Sequence, residues 1–120
     1  MKHNILRGTT PSTVMWHPVP YCDGDRALID ALDRIWADIV DRKMYVTGAC
    51  GQTHHGTSSR VDFVHEAFIT EYMMPNLTAY NETCANICNA MFNYRMLGIH
   101  AESKYADVME QGIYNTGLSG

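Results

Sequence analysis

The sequence predicts an all-α fold, and three stretches carry that prediction: 25–44, 77–99 and 102–115. In the first, Leu28, Ile29, Leu32, Ile35, Trp36, Ile39 and Val40 recur at the i, i+3/4, i+7 spacing of one helical face. Asp30, Asp33, Arg34, Asp38, Asp41 and Arg42 occupy the other face, so this helix is amphipathic and has one side in water. Asp23 or Asp25 supplies the N-cap, where a short carboxylate accepts from the free N–H groups of the first turn.

The second stretch differs in kind. Between 77 and 99 the only charged side chains are Glu82 and Arg95, while Cys84, Ile87, Cys88, Met91, Phe92, Met96 and Leu97 point to every side. A helix without a polar face is expected to be buried all round, yet 120 residues offer little to surround it. The pattern calls for more protein than this chain contains. In the third stretch Tyr105, Val108, Met109 and Ile113 share a face, and Gly98 with the polar residues after it separates this helix from the second. The second and third helices are expected to form a hairpin.

Residues 45–75 and a little beyond connect the first two helices, with Gly48, Gly51, Gly56, Thr57, Ser58 and Ser59 marking a loop. Loops that long inside compact domains are usually functional or disordered. Phe63, Val64, Phe68, Tyr72, Met73 and Met74 make this one too apolar for a disordered linker, so it is expected to be ordered and to line a site. Residues 1–22, with Pro11, Pro18 and Pro20, read as an irregular N-terminal segment, leaving 23–120 as one folded unit.

Composition narrows the function. A net charge of −4 with only 9 Lys and Arg, and no basic cluster, argues against binding through nucleic-acid phosphates. No apolar run approaches the ~20 residues that cross a bilayer, and residues 1–10 lack the apolar core of a signal peptide. The 4 cysteines form no Cys-x-x-Cys pair and are read as thiols. Together these point to a soluble chain in a reducing, cytoplasmic setting.

Chemistry-bearing residues concentrate at His65, Glu66, Glu82 and Cys84. Two residues apart on a regular helix, Glu82 and Cys84 diverge by about 200°; in the first turn or just before it, both can reach one ion. Zn²⁺ accepts a carboxylate and a thiolate together. The commoner reading of such a pair is structural: a Glu favoured by the helix dipole and a Cys serving as a small core residue. Cys84 and Cys88 share a face at i, i+4, which favours packing beside Ile87 and Met91 over a metal pair. The adjacent His54 and His55 offer imidazoles to a metal or a sugar hydroxyl, against the usual solvent-facing role of loop histidines. Gly48-Ala49-Cys50-Gly51 lacks both nucleotide-binding glycine patterns. Asn76-Leu77-Thr78 and Asn81-Glu82-Thr83 match the N-glycosylation acceptor pattern, but at a helix start expected to be buried they are read as chance matches.

Five motifs, in order, carry a resemblance: Met44-Tyr45-Val46-Thr47-Gly48, His65-Glu66-Ala67-Phe68, Tyr72-Met73-Met74-Pro75-Asn76, Tyr80-Asn81-Glu82-Thr83-Cys84-Ala85 and Tyr105-Ala106-Asp107-Val108-Met109-Glu110. The chain from about residue 25 to its end resembles the β-L-arabinofuranosidase family, glycoside hydrolase family 127. That resemblance implies an internal fragment of an (α/α)6 barrel, here helix hairpins plus a long ordered active-site loop. It implies a retaining hydrolase acting on arabinofuranoside-containing glycans, with zinc as cofactor. Glu82 and Cys84 match two of the family's zinc ligands, and Glu66, followed by Phe68, matches its general acid/base. His54, His55 and Tyr72 are the candidate sugar-binding residues. In the family the nucleophile is a zinc-bound cysteine further downstream, so no nucleophile is assigned in this chain and the fragment alone is expected to be inactive. His65-Glu66 stands where many relatives have His-Gly-Glu, Ile69 replaces a common Gly, and 57–64 lengthen the loop. The competing expectation is a non-catalytic helical remnant or an oligomeric interaction module that buries the second helix against a partner or another copy, with or without structural zinc.

Overall fold

The computed structural model describes residues 25–56, 64, 65 and 67–119. Helix α1, Arg26–Arg42, begins where Asp25 Oδ1 accepts from the Leu28 N–H at 3.2 Å, so Asp25 is the cap; Asp23 lies outside the described residues. Leu32 and Ile39 are its buried residues, as the apolar periodicity requires. Lys43 closes the helix by donating its N–H to Ile39 O at 3.0 Å, and its buried ammonium meets Asp38 at 2.5 Å.

The chain then turns tightly through Met44–Cys50, whose end residues form an antiparallel bridge. Gly48 sits at φ +86°, and a Cβ there would stand 2.9 Å from the Gly112 backbone nitrogen. Glycine is required by both conformation and space. A two-residue antiparallel pairing follows: β1, His55–Gly56, against β2, Val64–His65, with His55 opposite His65. Reading 45–75 as pure loop missed this pairing, because strands of two residues carry no alternation to detect. The class remains all-α. Within the described parts of the loop Ala49, Cys50, Gln52, Ala67 and Phe68 are buried, while Val46, Tyr72 and Met73 are exposed; residues 57–63 and Glu66 lie outside the described residues, as do 1–24.

Helix α2, Thr83–His100, starts later than the apolar pattern suggests, because Asn81 is left-handed at φ +42° and gives its N–H to Gly51 O at 2.9 Å. Its end also differs. Gly98 lies inside the helix, and Ala101, at φ +54°, provides the left-handed cap. The expectation of burial on all sides is corrected as well: Asn86, Asn89, Ala90, Phe92, Asn93 and Met96 face inward, while Ile87, Met91 and Tyr94 are 48%, 44% and 67% exposed. The inward face is lined by amides that find partners inside the fold, and the apolar residues on the outer face are left exposed.

Helix α3, Ser103–Gly112, packs back on α2 as the expected hairpin and runs into a π turn, Ile113–Gly117. The core where the helices meet the loop is Leu32, Ile39, Cys50, Phe68, Phe92, Met96 and Tyr105. Trp36 ties α1 to both other helices: its Nε1–H donates to Asn93 Oδ1 at 2.7 Å, and its ring meets Tyr105 edge-on at 4.9 Å. Among the described residues no helix is long and apolar enough to cross a membrane.

Candidate functional site

The N-terminus of α2 and the strand-like segment 50–56 lie side by side, joined by the Asn81 N–H to Gly51 O hydrogen bond. Glu82 is the N-cap, with φ −56° and ψ 134°, so its side chain leaves the backbone before the helical path begins. The 200° divergence of a regular helix therefore does not apply, and the carboxylate stays near enough to Cys84 for its charge to act on the thiol. Partial desolvation, then the hydrogen bond to Glu82 and its charge, push this thiol up to about 11, against the lowering effect of the Ala85 N–H. Cys84 is nevertheless solvent-exposed. Cys88, one turn on, is raised by burial and by the charge of Glu82.

Cys50 is a different kind of thiol. It is fully buried, lies 3.6 Å from Ala85 O as a donor, and is pushed up to about 12 by burial. Such a thiol is a core residue rather than a nucleophile.

His54 and His55 are exposed at the end of this segment, with their Nδ1 atoms 2.9 Å apart, and the His54 ring stands edge-on to Tyr80 at 4.8 Å. The β1–β2 register sets His55 opposite His65, the residue that precedes Glu66 in sequence. Glu66 itself lies outside the described residues. Tyr72 is anchored elsewhere: left-handed at φ +59°, it gives its N–H to Arg42 O at 2.9 Å, beside the Arg42–Glu71 ion pair at 2.8 Å. The structure thus sets His54 against both His55 and Tyr80 and keeps Glu82 and Cys84 together at the start of α2, while Tyr72 is tied to Arg42 of α1. Asn76, Leu77 and Thr78 are exposed, contrary to the burial expected for that glycosylation-like triplet, whereas the side-chain oxygen of Asn81 is buried.

Sequence reasoning missed the side chains that hold this site together. Gln52 is fully buried, donates to Thr70 O at 3.0 Å and Met73 O at 2.9 Å, and accepts from the Ile69 N–H at 3.0 Å. Asn86 accepts from the Cys50 N–H at 2.8 Å and donates to Asn81 O at 3.2 Å. A signal existed for the second: Asn86, Asn89 and Asn93 recur at i, i+3, i+7 in an otherwise apolar helix, the spacing of one polar stripe.

Glu82 and Cys84 offer oxygen and sulfur donors of the type zinc takes. They supply two positions, and among the described residues no group of three or more His, Cys, Asp and Glu is close enough to hold a metal ion. The donors present fit half of a zinc site.

Comparison with known proteins places these observations. A family model described as the beta-L-arabinofuranosidase GH127 catalytic domain matches residues 9–120. The non-reducing end beta-L-arabinofuranosidase of Bifidobacterium longum subsp. longum is 43% identical over 97 residues, covering 81% of this chain and 13% of that protein. Among solved structures, one titled glycoside hydrolase is 47% identical with a TM-score of 0.77, over 82% of this chain and 17% of that one. A GH127 beta-L-arabinofuranosidase from Geobacillus stearothermophilus T6 is 38% identical with a TM-score of 0.71, over 81% and 14%. The chain spans less than a fifth of the length of each of these relatives.

Proposed function

The chain belongs to the GH127 beta-L-arabinofuranosidase catalytic-domain family, and on that premise we propose that it forms part of the catalytic domain of a zinc-dependent, retaining glycoside hydrolase that acts on arabinofuranosides. The observation that carries this reading is the position of Glu82 at the N-cap of α2, where its carboxylate makes no capping bond and stands two residues from the solvent-exposed Cys84. A carboxylate that caps nothing and faces a thiol is arranged as a ligand pair rather than as a helix end. The α2–α3 hairpin with its open outer face is one wall of a larger helical barrel in this reading.

Retaining hydrolysis needs an acid/base on one side of the glycosidic bond and a nucleophile roughly 5–5.5 Å from it on the other. Glu66 donates its proton to the leaving oxygen in the first step and takes one from water in the second. Its neighbours in sequence, Ala67 and Phe68, are buried, and Gln52 holds the next residue's N–H, so the chain enters the site on a fixed backbone. Glu82 and Cys84 would hold zinc, whose chemistry when bound is to keep a thiolate deprotonated near neutral pH. In this reading the attacking cysteine lies outside these 120 residues, and the fragment alone is inactive. His54 and His55, exposed beside Tyr80, provide hydrogen-bonding groups and an aromatic edge for a sugar ring, and Tyr72 a further contact from the α1 side.

The test uses the full-length protein containing this stretch and a chromogenic β-L-arabinofuranoside. Glu66→Gln is expected to lower kcat by about 10²–10⁴-fold with the fold intact. A variant as active as the parent overturns the assignment.

A second reading is supported by the exposed Ile87, Met91 and Tyr94: a non-catalytic helical module that buries α2 against another copy or a partner. Sedimentation of the 120-residue chain separates the two, since this reading requires a dimer or larger species.

A further inference from the structure

Every α-helix begins with N–H groups that lack intrahelical partners, and the N-cap side chain usually serves them. In α2 it does not: Glu82 makes no side-chain capping bond. The entry angle of the chain is set instead by the residue four places into the helix. Asn86, 2% exposed, sends Nδ2 back to the carbonyl of Asn81 at 3.2 Å and receives the Cys50 N–H on Oδ1 at 2.8 Å. Only one orientation of the amide satisfies both contacts, because the Cys50 N–H needs an acceptor and the Asn81 carbonyl a donor.

These positions, N′ and N4, are the ones an apolar staple joins at many helix starts. Here the link is polar, and it holds a demanding conformation. Asn81 is left-handed at φ +42°, its N–H is bound to Gly51 O at 2.9 Å, and its buried Oδ1 has no hydrogen-bond partner among the described residues. Asparagine tolerates the left-handed region better than other non-glycine residues, but an orphaned acceptor is costly, so the turn persists because its backbone is held at both ends. The fixed 81–82 peptide sets where Glu82 leaves the backbone, and its carboxylate, which makes no capping bond, is left beside Cys84 at the first turn.

We propose that Asn86 is a positioning residue for the Glu82–Cys84 pair, a polar staple from N4 to N′ that sets the turn before α2 and joins it to the segment carrying His54 and His55. The inference rests on the reading of Glu82 and Cys84 as zinc ligands for its functional consequence, and on backbone geometry alone for its structural one.

The experiment uses the full-length protein containing this stretch, with zinc affinity from competition against a coloured chelator and amide exchange followed segment by segment. Asn86→Asp keeps an acceptor for the Cys50 N–H and loses the donor to Asn81; Asn86→Ala loses both. Each is expected to weaken zinc binding roughly 10- to 100-fold. Exchange of the Asn81 amide, which Gly51 O holds in the parent, is expected to speed up by about tenfold in both variants while 92–96 stay as slow as in the parent. The Cys50 amide should stay protected in Asn86→Asp and open in Asn86→Ala. Parental exchange at the Asn81 amide overturns the inference, as does a loosened turn with parental zinc affinity. Loss of protection throughout the domain in Asn86→Asp also overturns it, because the residue would then be holding the fold rather than the turn. A parent that takes up no zinc refutes the metal reading instead, and the staple is then decided by exchange at the Asn81 amide.

Discussion

Gln52 shows how much one buried side chain can organise. With no surface exposed, it satisfies Thr70 O, Met73 O and the Ile69 N–H, so the glycine-rich segment and the segment after Glu66 move as one piece. Gln52→Met keeps the volume and strands those three backbone groups; unfolding in urea should show a loss of about 3 kcal/mol. Nothing in the sequence marks this residue, since a single amide in a glycine-rich loop has no periodicity. Glu82 and Cys84, by contrast, were singled out by a motif, although their spacing alone favoured a structural reading. Cys50 sets a pH dependence. Burial pushes its thiol from 9.0 up to about 12, so above pH 9 the unfolded chain gives up a proton that the native chain keeps. Stability contributed by the neutral thiol is complete below that value and is lost as pH rises from about 9 toward 12. Urea midpoints taken across that range should fall, and Cys50→Ala should flatten the decline.

Helices were legible to different degrees for a physical reason. The ends of α1 follow from a capping aspartate and a clear apolar face, both local properties. The start of α2 depends on Asn81 meeting Gly51, a contact between residues distant in sequence, so the apolar run misplaced it. At its other end the expected and observed glycine roles are exchanged. Gly98 occupies an exposed helical position with nothing within 4 Å of an added Cβ, while Ala101 takes the left-handed cap that glycine prefers. Gly98→Ala should stabilise by about 0.5–1 kcal/mol, and Ala101→Gly by about 1 kcal/mol. Thermal unfolding of the single and double variants checks both, and the effects should be close to additive only if the two residues between the sites do not couple them.

On the scale of the whole molecule, α2 and α3 enclose an apolar groove of about 440 Å³ lined by Ile87, Met91, Tyr94, Met109 and Ile113. An open apolar surface of this kind attracts hydrophobic ligands. The 120-residue chain should therefore bind an anilinonaphthalene dye with enhanced fluorescence, and Met91→Glu should remove most of that signal while circular dichroism stays unchanged. The sequence anticipated this face as a helix with too little protein around it, and the chain spans 13% of the Bifidobacterium relative. The anticipation erred in direction rather than in substance: the side that turned out to be covered is the amide-lined one.

By itself, the sequence determined the all-α class, the three helices and their hairpin, and the family to which the chain belongs. These depend on spacing, capping and motif order, which are written along the chain. Only the tertiary structure decided that Glu82 would face Cys84, that His54 would meet Tyr80, and that Gln52, Asn81 and Asn86 would hold the pieces in register. The physical reason is that a buried amide is stable only beside its partner, and here the partners are backbone groups that folding brings in from distant parts of the chain.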